Sequence, residues 1–171
     1  MAAILGLNAK AFENIDYTAP AAGAAHDDAR AAAYSDPDFT ERSNIRDVTL
    51  NLERATADIT TRAGNGYRQV ASTLAEASVD FQLVYDPDDA FFTALKKQYE
   101  AQLLIDMAFA DGEIGDEGTA ATGGTDGVIF FRAEFAITNF SITQNLEEAM
   151  MVDCTLQSGF SANAPGFTTV G

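Results

Sequence analysis

Two-residue alternation of apolar and polar side chains, sustained over several long stretches, constrains this chain more than any other feature. Val48, Leu50 and Leu52 alternate with Thr49, Asn51 and Glu53, and Val79, Phe81, Leu83 and Tyr85 alternate with Ser78, Asp80 and Gln82. In the longest run, residues 128–143, Ile129, Phe131, Ala133, Phe135 and Ile137 oppose Arg132, Glu134 and Thr138. Met150, Val152, Cys154 and Leu156 then alternate with Met151, Asp153, Thr155 and Gln157. In a β-strand, residues two apart share a face, so each run predicts a strand with one buried and one wet side. Residues 57–61 extend the first strand and residues 67–74 return beside it, with Gly64-Asn65-Gly66 as the reversal, because Asn and Gly tolerate positive φ. Residues 103–109 read as a further strand, and a turn at 145–148 makes the last two strands a long hairpin.

One helix interrupts the strands. Asp86 is placed to cap it, Pro87 suits its first position, and Asp88 and Asp89 favour the positive end of its dipole. Phe91, Phe92, Leu95 and Tyr99 recur at helical spacing and form the face that packs on a sheet. Several strands with one intervening helix predict a mainly β fold, a sandwich or barrel-like domain spanning residues 1–171. Residues 14–45 depart from the pattern. They hold the small, polar stretch 20–28 and the turn Asp36-Pro37-Asp38, and read as a long loop or arm. Residues 111–127, rich in Gly, Thr and acids, read as a second loop.

Charge and composition narrow the function. Ten Lys and Arg face 26 Asp and Glu, a formal charge of −16, so a grip on nucleic-acid phosphates, which takes clustered bases, is excluded. The imbalance is concentrated: residues 98–171 contain 11 acids and one base, Arg132. A single Cys and a single His (His26, in the arm) rule out an intrachain disulfide and a Cys/His metal cage. No apolar run approaches the ~20 residues of a membrane-spanning helix, and the opening Met1–Leu7 stretch lacks the basic region of a signal peptide.

Candidate chemistry is thin. Asp111-Gly112-Glu113-Ile114-Gly115-Asp116-Glu117 is acidic but has Asp116 at the sixth position, where a calcium loop needs Gly, and Thr122 at the twelfth, where it needs Glu. Glu134 and Asp153 on neighbouring strands are a conceivable glycosidase pair, without a Trp platform for a sugar. Gly64-Asn65-Gly66-Tyr67-Arg68-Gln69 lacks the third Gly of a dinucleotide fingerprint. Cys154 falls on the buried parity and reads as a packed thiol. No catalytic residue, cofactor or metal ligand is expected.

Three stretches carry a family resemblance. Arg46-Asp47-Val48-Thr49-Leu50-Asn51-Leu52-Glu53 runs into Ala57-Asp58-Ile59-Thr60-Thr61-Arg62 and the Gly64 turn; Thr138-Asn139-Phe140-Ser141-Ile142-Thr143-Gln144 leads to Leu146-Glu147-Glu148-Ala149-Met150; and Val152-Asp153-Cys154-Thr155-Leu156 follows. With the 77–85 strand and its Asp86-Pro87 helix start, residues 44–170 resemble the major tail tube proteins of tailed bacteriophages, whose fold the type VI secretion tube shares. The resemblance implies a non-enzymatic virion protein: a β-sandwich with a flanking helix, assembling as hexameric rings that stack into a tube through which DNA leaves. It also implies a tape-measure protein inside the tube, and tail terminator and baseplate or tail-tip proteins at its ends. Duplex DNA carries about one negative charge per 1.7 Å, so acids on the polar strand faces would repel it from a lumen wall. Asn51, Glu53, Asp80, Gln82, Glu134, Asp153 and Thr155 are the lumen candidates, with an outer solvent face as the competing placement. A monomeric carbohydrate-binding or hydrolytic β-sandwich, and the tube of a contractile injection or secretion machine, are the competing functions. Residues 14–43 and 111–127 are expected to order against neighbouring subunits.

Overall fold

The computed structural model describes residues 9–18, 33–61, 67–144, 149–159, 161 and 163–171. His26, the Gly64-Asn65-Gly66 reversal and the 145–148 turn lie outside the described residues. The elements are β1 (Lys10–Asn14), α1 (Ile15–Thr18), β2 (Phe39–Glu41), β3 (Ile45–Asp58), β4 (Val70–Val84), α2 (Ala90–Ala101), β5 (Leu104–Ala110), a 3-10 turn (Ala120–Thr122), β6 (Ile129–Thr143), β7 (Met151–Ser158) and β8 (Gly166–Thr169). The chain is mainly β, as its alternation predicts. All strand pairs are antiparallel, in the order β2-β1-β5-β6-β7-β4-β3, with β8 also paired to β6.

β6 organises the sheet. Its first half pairs with β5 and β8, and its second half with β7. A bulge lies between Ile137 and Asn139. The extra residue switches the parity of the strand: Phe131, Ala133 and Phe135 face the core before it, and Phe140 packs on the core after it. The alternation predicted from the sequence therefore holds only up to the bulge. The expectation for Ile129 also fails, since it is half exposed at the strand's open start.

One face of the sheet, here the core face, buries Val79, Phe81, Leu83, Ile105, Met107, Phe131, Phe135, Val152, Cys154 and Leu156 in a single cluster. Both halves of the sheet contribute, so the sheet wraps around a common interior, and α2 closes one end with Phe91, Phe92 and Leu95. Burying each of these helix side chains is worth about 1.5–3 kcal/mol. Tyr99, predicted on the same stripe, is half exposed but stacks on Phe140. The cap differs from expectation. Helix α2 begins one turn later, with Asp89 as the N-cap accepting from the Phe91 N–H at 2.8 Å, while Asp86 accepts from the Asp88 N–H in the preceding turn. Asp89 wins because its other carboxylate oxygen is also held by the Asn44 side-chain amide.

Two strand expectations need correction. The separate strands at 67–74 and 77–85 are one strand, β4, of 15 residues. β3 does not bury Val48 and Leu52, which stay exposed because it pairs on one side only, with β4. The segment 14–45 also contains more order than an arm predicts: Asn14 ends β1, α1 follows, residues 33–35 are helical, and β2 adds Phe39 to a second apolar cluster with Phe12 and Phe130. Residues 19–32 lie outside the described residues. No helix among the described residues is long and apolar enough to cross a membrane.

Candidate functional site: the polar face of the sheet

Opposite the core face, the same strands present a polar face. Register alone builds it. Asp80 of β4 lies between Thr49 of β3 and Thr155 of β7; Gln82 lies between Arg46 and Asp153; Ser78 lies between Asn51 and Gln157. The β6 bulge brings Asn139 opposite Thr155, Ser141 opposite Asp153 and Thr143 opposite Met151. Six of the seven lumen candidates therefore share one face of β3, β4 and β7, with Glu53 opposite Glu76 at its far end.

Neighbouring side chains lock the face. The Thr155 hydroxyl donates to Asp80 Oδ1 at 2.8 Å, and the Asn51 amide reaches Asp80 Oδ2 at 3.5 Å. The Gln82 amide donates to Asp153 Oδ1 at 2.6 Å and the Thr143 hydroxyl to Asp153 Oδ2 at 3.2 Å. Every donor is neutral. Among the described residues neither Asp80 nor Asp153 has an ion-pair partner, so the face keeps its negative charge. A shallow cavity of about 320 Å³ between them is bordered also by Asp47, which adopts φ 52° beside the Arg46/Thr49 register shift.

Glu134 is separate. It lies on the nominal polar side of β6 but is 6% exposed, opposite Asp106, and accepts from the Asn163 amide at 2.7 Å. Asp153 is opposite Ser141, seven residues further along β6, or about 23 Å of strand. A carboxylate pair for sugar hydrolysis needs a separation of at most about 9.5 Å, so these two residues do not form one. The acidic loop holds no metal cluster either: among the described residues no three acidic, His or Cys side chains converge. Glu113 instead pairs with Lys10, and Asp111 accepts from the Ile129 N–H. Cys154 is buried as expected, and burial pushes its thiol up to about 12.

The sequence reading missed the strongest charged contact, on the covered half of the same face. Arg132 Nη2 lies 2.5 Å from Asp106 Oδ2, and its Nε lies 3.0 Å from Oδ1. Asn14 donates to the same Asp106 carboxylate at 2.9 Å and to the Ala33 carbonyl at 2.8 Å. The Arg132 guanidinium also donates to the Tyr34 carbonyl and lies 3.7 Å from the centre of the Tyr34 ring. Residues 33–39 are thus clasped over this half of the face, leaving the β3-β4-β7 half bare. An acid among the apolar residues of β5 was the available signal, since Asp106 takes the parity opposite Ile105 and Met107. Asn139, Ser141 and Thr143 were missed because the bulge was not foreseen; the parity change from Ile137 to Phe140 was its sign.

Nothing in this geometry joins a nucleophile to a base; what it offers is a wide, bare, negatively charged β surface. The phage tail tube protein model matches residues 27–160. No curated protein sequence matches the chain. Among solved structures, the SPP1 tail tube aligns with a TM-score of 0.59 at 15% identity, covering 99% of this chain and 80% of that one. The tail of an empty gene transfer agent particle, refined with C6 symmetry, aligns with a TM-score of 0.56 at 16% identity over 76% and 86%. A chain of the six-fold symmetrised baseplate of the anti-feeding prophage aligns with a TM-score of 0.55 at 6% identity over 99% and 97%. The family match over residues 27–160 and the fold shared with these tail structures agree: the chain belongs to the phage tail tube protein family, structural components of the virion tail.

Proposed function

We propose that six copies of this chain close into a ring, that rings stack into a tube, and that the bare face of β3, β4 and β7 lines the bore. The observation that carries this reading is the hydrogen-bonded Asp80 and Asp153 face, whose two carboxylates have no ion-pair partner among the described residues, on a sheet whose β3 edge is unpaired among them. An unpaired edge is a template for a neighbouring copy, and successive copies joined there would enclose the face around water. Asn51, Glu53, Asp80, Gln82, Asp153 and Thr155 then line the lumen. Glu134 sits at its covered margin, and DNA passes without adhering. The six-fold symmetry named for two of the similar structures supports the copy number. A tape-measure protein would fill the bore before ejection, with tail terminator and baseplate or tail-tip proteins at the ends. The 14–43 segment and the 111–127 loop would meet the adjacent ring.

Negative-stain microscopy of the purified chain tests the assembly, with tubes or rings of six expected; a strictly monomeric protein at high concentration would end the proposal. Tubes carrying Asp80→Lys and Asp153→Lys test the wall. They should retain duplex DNA that wild-type tubes release, and equal release would move this face to the exterior. The likeness to the anti-feeding prophage baseplate is compatible with the second reading, the tube of a contractile injection or secretion machine, which neighbouring reading frames such as a tape-measure gene would separate from a phage tail.

A further inference from the structure

The strands that carry the bare face have two open edges, and the first is β3. The second is the far half of β6. β5 runs alongside it only as far as Ala136, so among the described residues 137–143 pair with β7 alone. β6, β7, β4 and β3 alternate in direction, so the two edges run oppositely. The β6 edge of one copy can therefore join the β3 edge of the next in the antiparallel sense of the rest of the sheet. Within one subunit three strand spacings, about 14 Å, separate the edges, so a subunit cannot join them by itself.

Each edge also carries apolar side chains that its own subunit leaves uncovered, on the side away from the bare face. On β3 these are Val48 and Leu52, which face Ile129 and Phe167 across a groove; the four are between 41% and 62% exposed. They border two cavities of about 380 and 650 Å³ that share Phe167. On β6, Ile142 lies opposite the core residue Val152 and is 47% exposed. Phe140 is on the same side, and Tyr99 of α2, stacked on it, is 45% exposed. Contiguous exposed apolar surface marks an interaction site. The two patches differ, so they suit a head-to-tail contact repeated from copy to copy and not a two-fold one. Opposite charges accompany them. Arg54, on the groove side of β3 two residues beyond Leu52, has no ion-pair partner among the described residues. Glu100, next to Tyr99, pairs there with Lys96 alone, at 3.9 Å and with both side chains more than half exposed, a contact worth little.

On the ring reading proposed above, we infer that Ile142 and Tyr99 of one subunit seat against Val48, Leu52 and Phe167 of the next, with Glu100 beside Arg54, and that this apolar contact closes the ring. It is separate from the polar wall, because Ser141, the residue before Ile142, lies opposite Asp153 on the bare face.

Two one-sided blocks test the contact. Ile142→Asp spoils the β6 patch and leaves the groove; Leu52→Asp spoils the groove and leaves the patch. Both sites are about half exposed in the subunit, so each variant should melt within about 2 °C of wild type. Each alone should sediment as a monomer under conditions where the wild-type chain forms rings. Mixed, the two should give a one-to-one dimer and no ring, because one intact patch meets one intact groove. Rings from either variant alone, or a mixture that stays monomeric at high concentration, would overturn the inference, while wild-type rings would keep the ring reading. A benzophenone side chain in place of Tyr99 gives a second measurement without added charge. On irradiation of assembled rings it should bond to residues 48–54, 129 or 167 of another chain; bonds only within its own chain or to other segments would overturn the inference as well. A wild-type chain that never assembles would end both the ring and the contact.

Discussion

Replacing Arg132 with Met removes the positive half of the clasp while keeping most of its volume. Asp106 is fully buried, and the Arg132 side chain is 14% exposed. Once the guanidinium is gone, the carboxylate retains, among the contacts described here, only the Asn14 amide as a partner. Leaving one member of a buried pair uncompensated costs about 3–5 kcal/mol. Loss of the hydrogen bond to the Tyr34 carbonyl and of the contact with the Tyr34 ring acts in the same direction, though contributions within one network do not simply add. For a chain of this size 1 kcal/mol moves Tm by about 2–4 °C, so the variant should melt about 6–20 °C lower. Adding Asp106→Asn removes the stranded charge and should recover much of the loss. The pH dependence has a definite sign. Burial already pushes the Asp106 carboxyl above the usual carboxylate range, against the pull of Arg132 and Asn14. Removing Arg132 raises it further above its unfolded value, so the penalty is full at neutral pH and shrinks as pH falls through the folded value. Urea denaturation of wild type, Arg132→Met and the double variant at pH 7.5 and pH 5 measures all three terms. A single variant within 1 kcal/mol of wild type, or a double variant no better than the single one, would refute the reasoning.

Further outcomes follow from other parts of the fold. Asp89→Ala should cost about 1 kcal/mol, as lost N-caps do, and Asp86→Ala less than half of that; urea titrations giving the reverse order would return the cap to Asp86. Gly115 has φ 70°, and a Cβ there would lie 2.5 Å from the Gly124 N, whereas Gly123, its bridge partner, has φ 103° and open space. Gly115→Ala should therefore destabilise by more than about 2 kcal/mol and Gly123→Ala by about 1 kcal/mol, with amide exchange in the 111–127 loop as the readout. With its thiol near 12 and buried, Cys154 should be alkylated at pH 8 at least a hundredfold more slowly in the native chain than in urea. Comparable rates would mean the β7 core opens readily.

Local pattern determined β3 to β7, the helix and most of the polar face, because a two-residue period fixes which side chains share a side wherever a strand runs straight; the short strands β1, β2 and β8 were not legible in it. Asp80, Gln82, Asp153 and Thr155 were legible for that reason, as were buried Val79, Phe81, Val152 and Cys154. The tertiary structure decided what depends on partners distant in sequence. The β6 bulge reversed the parity beyond Ile137. The one-sided pairing of β3 left Val48 and Leu52 exposed. Asn44, 45 residues away, helped make Asp89 the cap in place of Asp86. Arg132, Asp106 and Asn14 came together from three strands to cover Glu134's half of the face and leave the other half bare. Periodicity is written into neighbouring residues, whereas cover and charge compensation depend on which segments the sheet brings across one another.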